Sequence, residues 1–301
     1  MDIFPRKAHL STLILIASLF LWNTSGFAQL KTSLKTSSLP ILQMGNYPFS
    51  LDGMSEEPSK QNFSKDVATV FKGTGYTISR PFHWDKRDWR TAVIWAALIG
   101  GSLLIEEEVD EFFQKNRSNF GDTVNDIGVK YGAPPFAAGL SLGVYAVGTL
   151  IGSPAWRETS IMMFELLLTV GIIQQPLRII TGRARPRANE DNLTFNPLSI
   201  KDKYSSFISG HVWISVGLSY IMAKQIDHPV ATGILFTLGA VVTPYARMYG
   251  RAHWASDILI GGVLGFYSAR TIMNWHKGKA LADNALLILP TPGGVRMTYR
   301  F

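Results

Sequence analysis

The 301-residue sequence contains no cysteine, and only 17% of its residues are charged. Without cysteine the chain cannot carry a disulfide scaffold, a Cys-ligated zinc site, an iron–sulfur cluster or a cysteine nucleophile. The low charge, together with 47% hydrophobic residues, excludes an intrinsically disordered chain. The redox compartment stays open, because a helical exported protein needs no disulfide.

Long apolar runs are also few. Among the apolar segments after residue 90, only residues 131–156 and 229–246 form charge-free runs that reach the roughly 18 residues typical of a membrane span. The mean hydropathy of +0.12 is too low for an ordinary polytopic transporter and higher than that of most soluble enzymes. The formal charge of +7 suits an anionic partner such as nucleic acid, acidic lipid or a phosphate substrate. We find no internal repeat and no nucleic-acid motif, so we expect no nucleic-acid partner.

The N-terminus has the pattern of a secretory signal peptide over residues 1–28. Arg6 and Lys7 precede an apolar stretch at 13–22, and the small residues of Gly26-Phe27-Ala28 follow. An uncleaved membrane anchor is the alternative interpretation. Residues 29–85 are polar without a sustained period, which predicts an extended lead-in with one amphipathic stretch near 66–71.

Six apolar segments follow, and their length and lack of alternation predict helices. They lie at 91–105, 134–152, 160–177, 211–224, 230–246 and 257–273. We therefore predict an all-α fold, a membrane-embedded bundle of about six apolar helices over residues 86–277. A water-soluble helical domain with an unusually apolar core is the alternative. Residues 278–301 read as a short C-terminal β-hairpin around Pro290-Thr-Pro-Gly-Gly294.

Three polar stretches stand at the junctions of these helices. Residues 178–203 hold a surplus of basic residues, which either marks the cytoplasmic flank of a membrane helix or binds an anion. Ser209-Gly210-His211 opens an apolar helix, where unpaired N–H groups form an oxyanion cradle; a plain serine cap accounts for Ser209 equally well.

The third stretch runs from Arg247 to Asp257. His253 and Asp257 have i,i+4 spacing, so on one helix face the carboxylate would accept a proton from one imidazole nitrogen. The other nitrogen would then hold a free lone pair, as a nucleophile or general base needs. A His/Asp pair that only caps a helix is the alternative.

Together, Arg178-x6-Arg185-Pro186, Ser209-Gly210-His211 and Arg247-x5-His253-x3-Asp257 closely resemble the three-part signature of the type 2 phosphatidic acid phosphatase superfamily. That superfamily also holds the vanadium haloperoxidases and bacterial non-specific acid phosphatases. The resemblance covers about residues 90–275. Three positions depart from its usual pattern: Arg178 replaces lysine, Ile208 replaces proline and Ala246 replaces serine.

The resemblance implies catalytic roles for three residues. His253 would attack phosphorus and become a phosphohistidine, Asp257 would orient it, and His211 would protonate the leaving oxygen and later activate water. It also implies a phosphate-binding set: Arg178, Arg185, Ser209, Gly210 and Arg247. Three fixed guanidiniums can supply the positive charge that phosphoryl transfer needs, and we find no metal-binding motif, so we expect neither a metal nor another cofactor.

The expected activity is hydrolysis of lipid phosphate monoesters or diphosphates at a bacterial-type cell membrane, with the site facing the periplasm. A soluble exported non-specific acid phosphatase in the periplasm is the main alternative. A vanadium-dependent haloperoxidase and a non-catalytic phosphate-binding protein are the others.

Overall fold

The structure is a computed structural model that describes residues 63–226, 228–283, 286–291 and 294–299, with side chains up to residue 278. The predicted signal peptide and residues 29–62 of the predicted lead-in lie outside the described residues.

Ten α-helices occupy the described part of the chain, and most are joined by short turns. They are α1 (Phe63–Ser79), α2 (Lys86–Ser102), α3 (Glu106–Lys115), α4 (Asn119–Tyr131), α5 (Pro134–Leu150), α6 (Pro154–Thr181), α7 (Gly210–Ile226), α8 (Pro229–Thr237), α9 (Thr243–Tyr249) and α10 (Ala255–Asp283). A π-helical turn, Leu238–Val242, joins α8 to α9, and short 3₁₀ turns lie at Arg80–His83, Leu103–Ile105, Pro186–Ala188 and Asp202–Tyr204. All six predicted apolar segments lie in these helices.

Local sequence sets where several helices begin and end. The Asp85 carboxylate accepts the backbone N–H groups of Arg87 and Asp88 at the start of α2, and the Ser118 hydroxyl accepts that of Gly121 at the start of α4. Prolines occupy the first turns of α5, α6 and α8, where a missing N–H is tolerated. Helix α6 ends at Gly182, which has the left-handed conformation that glycine adopts readily.

The hydrophobic core lies between α5, α6, α7 and α10. Met163 and Leu166 of α6, Trp213 and Leu218 of α7 and Ile272 of α10 are all 2% exposed or less. Gly265 of α10 lies so close to α7 that an added Cβ would fall 2.6 Å from the Trp213 carbonyl oxygen, so the two backbones are nearly in contact. The predicted all-α bundle is confirmed.

Two continuous helical stretches of the described chain are long and apolar enough to cross a membrane: Pro154–Thr181, and Pro229–Tyr249 through the π-turn. Helices α4 and α5 together make a third if the 57° bend between them is accommodated in one span. Many large apolar side chains on these helices face outward, including Leu142, Ile172 and Ile234. The apolar helices are compatible with a membrane protein, and by length and composition two or three of the described helical stretches, rather than six, could span one.

Helix α1 lies inside the predicted lead-in and packs against α6 and α10. An added Cβ at Gly73 would fall 2.3 Å from Glu165 of α6, so the contact is close. Asp66 forms an ion pair with Arg157 at 2.6 Å and accepts a hydrogen bond from Tyr145 at 2.7 Å. The short amphipathic stretch expected at 66–71 is thus part of a 17-residue helix that belongs to the bundle.

After α10, strands β1 (Leu286–Thr291) and β2 (Gly294–Tyr299) pair antiparallel, from Leu286↔Tyr299 to Thr291↔Gly294. The fold class rests on the helices alone, and the C-terminal hairpin predicted from the sequence adds no support to it.

Candidate active site

The three motifs lie at neighbouring helix ends and in the loops between them. Arg178 is in the last turn of α6 and Arg185 in the loop that follows it. Gly210 and His211 open α7, directly after Ser209. The third motif spans the junction of two helices, as Arg247 is in α9, His253 in the α9–α10 loop and Asp257 in the first turn of α10.

Backbone contacts bring the three stretches together. The Ser206 N–H donates to the Arg183 carbonyl at 3.0 Å, which joins the first stretch to the second. The Ser209 N–H donates to the Asp257 carbonyl at 3.2 Å, which joins the second to the third. The Arg185 guanidinium closes the arrangement by donating to the Ala252 carbonyl at 3.2 Å. The predicted site residues therefore share one region of the structure.

His253 is buried, with 1% of its surface exposed. Its Nδ1 lies 2.6 Å from the carbonyl oxygen of Ser206. Because a carbonyl only accepts hydrogen bonds, Nδ1 carries the proton and Nε2 of the neutral ring holds the lone pair. Nε2 is buried without a hydrogen-bond partner among the described residues. The ring is therefore in the tautomer that a nucleophile requires, with its reactive nitrogen free.

Asp257 does not hold His253 directly, so the predicted contact between the two is wrong. Helix α10 begins at Ala255, after His253, and the i,i+4 geometry of a helix face does not apply. The buried Asp257 carboxylate instead accepts hydrogen bonds from Ser206 Oγ at 2.5 Å, Arg183 at 2.8 Å and the Trp254 N–H at 3.1 Å. Ser206 thus connects Asp257 to His253, through its hydroxyl on one side and its carbonyl on the other.

Two charged residues behind this link were not identified from the sequence. Arg183 is 2% exposed and donates to Asp257 at 2.8 Å and to Glu106 of α3 at 2.6 Å. Glu106 is itself 1% exposed and accepts the Ser256 N–H at 2.9 Å. We call Glu106, Arg183 and Asp257 the buried ion cluster. Burial raises the pKa of Asp257, while Arg183 and the Ser206 hydroxyl act in the opposite direction.

Four polar side-chain atoms from the three motifs are buried and lack hydrogen-bond partners among the described residues. They are Nε of Arg178, Oγ of Ser209, Nε of Arg247 and Nε2 of His253. Buried polar atoms are rarely left unpaired in folded proteins, so their concentration in one place indicates a site for a polar ligand. Two guanidiniums and a hydroxyl fit an anion with several oxygen atoms, such as phosphate.

Arg185 is held more firmly than the other two arginines. Its Nε donates to the Asp202 carbonyl at 2.9 Å and its Nη2 to the Ser205 hydroxyl at 2.8 Å. Burial lowers the pKa of Arg185 to about 10; Asp202 opposes this change, and the neighbouring guanidiniums of Arg187, Arg178 and Arg247 add to it. The side chain therefore stays cationic at neutral pH in a fixed orientation.

Burial and the arginines also lower the pKa of the two site histidines. Burial, followed by the positive charges of Arg247, Arg178 and Arg185, lowers the pKa of His211 to about 3. Burial and the same three guanidiniums hold the pKa of His253 well below its usual range, against the Ser206 hydrogen bond, which raises it. Without an anion in the site, both imidazoles are neutral.

The turn before α7 is supported by Gln174 of α6. Gln174 Nε2 donates to the Ile208 carbonyl at 3.0 Å, and an added Cβ at Gly210 would fall 2.9 Å from the same side chain. A side chain at 210 would therefore require the Gln174 amide to shift away from the turn. Ile208, where the family usually has proline, is buried in the core at 1% exposed, and its carbonyl is fixed by Gln174 rather than by ring geometry.

The substitution at position 246 also has a packing reason. Ala246, where the family usually has serine, is fully buried, and its Cβ would lie 2.6 Å from a Cβ added to Gly128 of α4. A larger polar side chain would crowd this helix contact.

Residues 160–280 match the family model described as the PAP2 superfamily. This segment includes all eight predicted site residues, and it confirms the family indicated by the motifs. A phosphatase-type, hydrolytic activity follows at that general level. Searches of curated proteins and of solved structures found no match. Across the residues that the structure describes, no group of three or more His, Asp or Glu side chains could hold a metal ion.

Proposed function

We propose that this chain, with its PAP2 superfamily segment at residues 160–280, is a metal-independent phosphatase that hydrolyses lipid phosphate monoesters or diphosphates through a phosphohistidine intermediate. The observation that carries the proposal is the unpartnered, buried Nε2 of His253 in a region that also holds unpaired groups of Arg178, Ser209 and Arg247. This combination supports a nucleophile that acts on a phosphate bound beside it.

The first half-reaction transfers the phosphoryl group to the enzyme. The Nε2 lone pair of His253 forms an N–P bond while the bond between phosphorus and the leaving oxygen breaks. Protonated His211 gives its proton to that oxygen, so the alcohol or phosphate leaves as a neutral or singly protonated group. The Nδ1 proton of His253 stays hydrogen-bonded to the Ser206 carbonyl, and the phosphorylated ring is cationic.

The second half-reaction releases phosphate. Neutral His211 accepts a proton from water as the water oxygen attacks phosphorus, and the N–P bond breaks with its electrons returning to Nε2. Inorganic phosphate leaves, and both histidines return to their starting states. Arg178, Arg185, Arg247, Ser209 Oγ and the Gly210 N–H hold the non-bridging oxygens throughout.

Substrate binding adjusts the protonation of His211. Before a substrate binds, burial and the three arginines keep this histidine neutral, so it cannot act as an acid. A bound phosphate dianion offsets their charge and raises the pKa of the imidazole beside it. The acid is therefore charged when a substrate is present to accept the proton.

Exposed apolar side chains beside the arginines support a lipid substrate. Leu193, Phe195, Leu198 and Ile200 in the loop after α6 are 50 to 87% exposed. The Leu198 N–H donates to the Ile179 carbonyl at 2.8 Å, so the loop is anchored to the end of a membrane-capable helix. A lipid phosphate with its chains in the bilayer and its headgroup at the arginines fits this placement.

We also propose that the site faces the periplasm. The chain has no native cysteine, so a Lys201→Cys variant offers one exposed thiol on the loop beside the site. A membrane-impermeant maleimide should label it in cells whose outer membrane alone is permeabilised. Labelling only after lysis would place the site in the cytoplasm instead.

The activity is tested with the purified full chain in detergent, using phosphatidic acid in mixed micelles and p-nitrophenyl phosphate as a water-soluble substrate. We expect phosphate release that persists in EDTA and disappears in His253→Ala. The exposed His228→Ala variant should match the unmodified protein. Unchanged activity in His253→Ala, or loss of activity in EDTA, would contradict the mechanism.

A further inference from the structure

We propose that Glu106 is a positioning residue for the nucleophile His253. The inference rests on the proposed function, because it concerns the histidine that forms the phosphoenzyme. Glu106 lies in α3, outside the segment 160–280 that matches the family and outside all three motifs. The connection runs from Glu106 through Arg183, Asp257 and Ser206 to His253.

Both carboxylate oxygens of the buried Glu106 accept hydrogen bonds from other parts of the protein. One carboxylate oxygen accepts hydrogen bonds from Arg183 Nη2 at 2.6 Å and from Asn192 Nδ2 at 2.9 Å. The other accepts the backbone N–H of Ser256 at 2.9 Å, in the first turn of α10. A buried carboxylate with three donors is fixed in position, and so is the guanidinium that it holds.

Each following step in the connection is a short hydrogen bond. Arg183 Nη1 donates to Asp257 at 2.8 Å. Ser206 Oγ donates to the other oxygen of Asp257 at 2.5 Å, and the Ser206 carbonyl accepts the Nδ1–H of His253 at 2.6 Å. A displacement of Arg183 would therefore be transmitted to the orientation of the imidazole.

The charge of the buried ion cluster gives Glu106 a role beyond support. Two carboxylates share one guanidinium, so the cluster carries a formal charge of −1 behind the nucleophile. The phosphorylated imidazole is cationic because Nδ1 keeps its proton. A fixed negative charge near that ring stabilises the phosphohistidine and the transition state that leads to it. With Glu106 neutral, Arg183 would cancel the charge of Asp257.

The neighbouring residue provides a matched control. Glu107 belongs to the same acidic triplet of α3 but is exposed. Glu106→Gln keeps the side-chain size and removes the charge, and Glu107→Gln makes the same chemical change outside the cluster. A difference between the two variants isolates the buried position.

We expect Glu106→Gln to lower kcat about 10- to 100-fold, the usual effect of losing a residue that orients a functional ligand. KM for p-nitrophenyl phosphate and Ki for inorganic phosphate should change by no more than about twofold, because the three arginines are untouched. Glu107→Gln should match the unmodified protein. Unchanged kcat in Glu106→Gln, or a rise in KM and Ki that accounts for the lost activity, would overturn the inference.

Two further measurements keep the inference testable if Glu106→Gln folds poorly. Glu106→Asp keeps the charge with a shorter reach and should retain more kcat than Glu106→Gln; equal losses in the two variants would argue against an electrostatic role. The double variant Glu106→Gln/Asp257→Asn should lose little more kcat than Asp257→Asn alone, since both residues act on His253 through the same hydrogen-bond connection. Fully additive losses of kcat would contradict that connection. Activity that survives in His253→Ala would refute the proposed function instead.

Discussion

The carbonyl oxygen of Ser206 accepts the Nδ1–H of His253 at 2.6 Å. The hydroxyl of the same serine donates to Asp257 at 2.5 Å, so one small residue replaces the direct His–Asp contact that the motif spacing suggests. The backbone carbonyl therefore fixes the histidine tautomer, and the Asp257 carboxylate acts on His253 only through Ser206.

This arrangement predicts the behaviour of Ser206→Ala. The backbone carbonyl remains, so the imidazole keeps its tautomer, but Asp257 loses one of its three donors. We expect kcat to fall about tenfold with KM unchanged, a smaller loss than in Asp257→Asn. Steady-state kinetics of both variants measure this, with Ser199→Ala in the preceding loop as the control. A Ser206→Ala variant as inactive as His253→Ala would mean that the hydroxyl itself takes part in the chemistry.

The two site histidines predict a loss of stability in acid. Both are held neutral in the folded protein, with the pKa of His211 at about 3, whereas an unfolded histidine has a pKa of about 6.5. Between these values the unfolded chain binds more protons than the folded one. Stability should therefore fall as the pH drops below about 6.5, by up to about 1.4 kcal/mol per pH unit for each histidine.

Thermal unfolding in detergent between pH 7 and pH 4 measures this slope. His211→Asn should reduce it, while His83→Asn, at an exposed position, should leave it unchanged. A slope that does not respond to His211→Asn would show that other groups cause the acid sensitivity.

A third histidine predicts the opposite pH dependence. His276 of α10 is 5% exposed, and its two ring nitrogens lie 2.8 Å from Glu158 and 2.8 Å from Glu165 of α6. Burial lowers the pKa of His276, but the two carboxylates outweigh it and raise the pKa to about 9. The charged form thus stabilises the fold fully below about pH 6.5, and this contribution is lost as the pH rises through about 9.

The melting temperature measured from pH 6 to pH 10 tests this expectation. It should decrease with rising pH in the unmodified protein, and His276→Gln should start lower and change less. His228→Gln, at an exposed position, serves as the control. Parallel curves for the unmodified protein and His276→Gln would contradict the assignment.

Variants of the apolar loop beside the arginines test whether the substrate is a lipid or a water-soluble phosphate. In Leu193→Ser/Ile200→Ser, two side chains that are 59% and 87% exposed lose their apolar surface. We expect KM for phosphatidic acid in vesicles to rise roughly tenfold, equivalent to about 1.4 kcal/mol of lost apolar contact, with p-nitrophenyl phosphate hydrolysis unchanged. Leu150→Ser, at the start of the α5–α6 turn and therefore at the opposite end of α6 from Arg178, is the control. Equal effects on both substrates would argue against lipid contact by this loop.

At Gly182, where the site loop begins, both the backbone conformation and a close neighbour favour glycine. It has φ +57°, and an added Cβ would fall 1.7 Å from the Asn196 carbonyl oxygen. Gly152→Ala separates the cost of the left-handed backbone from the cost of the close contact, because Gly152 has φ +65° with no atom within 4 Å of an added Cβ. We expect Gly152→Ala to lose about 1–2 kcal/mol of stability and Gly182→Ala to lose clearly more, together with activity. Chemical unfolding of both variants measures the difference, and equal losses would contradict the contact with Asn196.

Apolar pattern predicted the bundle well because it directly reflects burial. The six apolar segments became helices, and Met163, Trp213 and Ile272 within them form the core. Helix α3 was not predicted, because only three of its ten residues are apolar, and the sequence does not distinguish the buried Glu106 from its two exposed neighbours.

The site was predicted as a set of residues but not as a set of contacts. Spacing placed His253 and Asp257 on one helix, and the true start of α10 at Ala255 changes which groups they contact. Arg183 lies two residues before Arg185 in a basic run, and only tertiary structure distinguishes Arg183, which pairs with buried carboxylates, from Arg185, which we propose to bind phosphate.

The contact between Glu106 and the Ser256 N–H joins residues that are 150 positions apart. During synthesis the acidic turn of α3 is made well before α10, and at about 5–20 residues per second the interval is roughly 8–30 s. For that time Glu106 has no backbone partner from α10, and Arg183, once it is made, still lacks Asp257. His253 is made near the end of the same interval, so the candidate site forms late in translation, and a nascent chain that stops before residue 256 lacks the contact between Glu106 and α10.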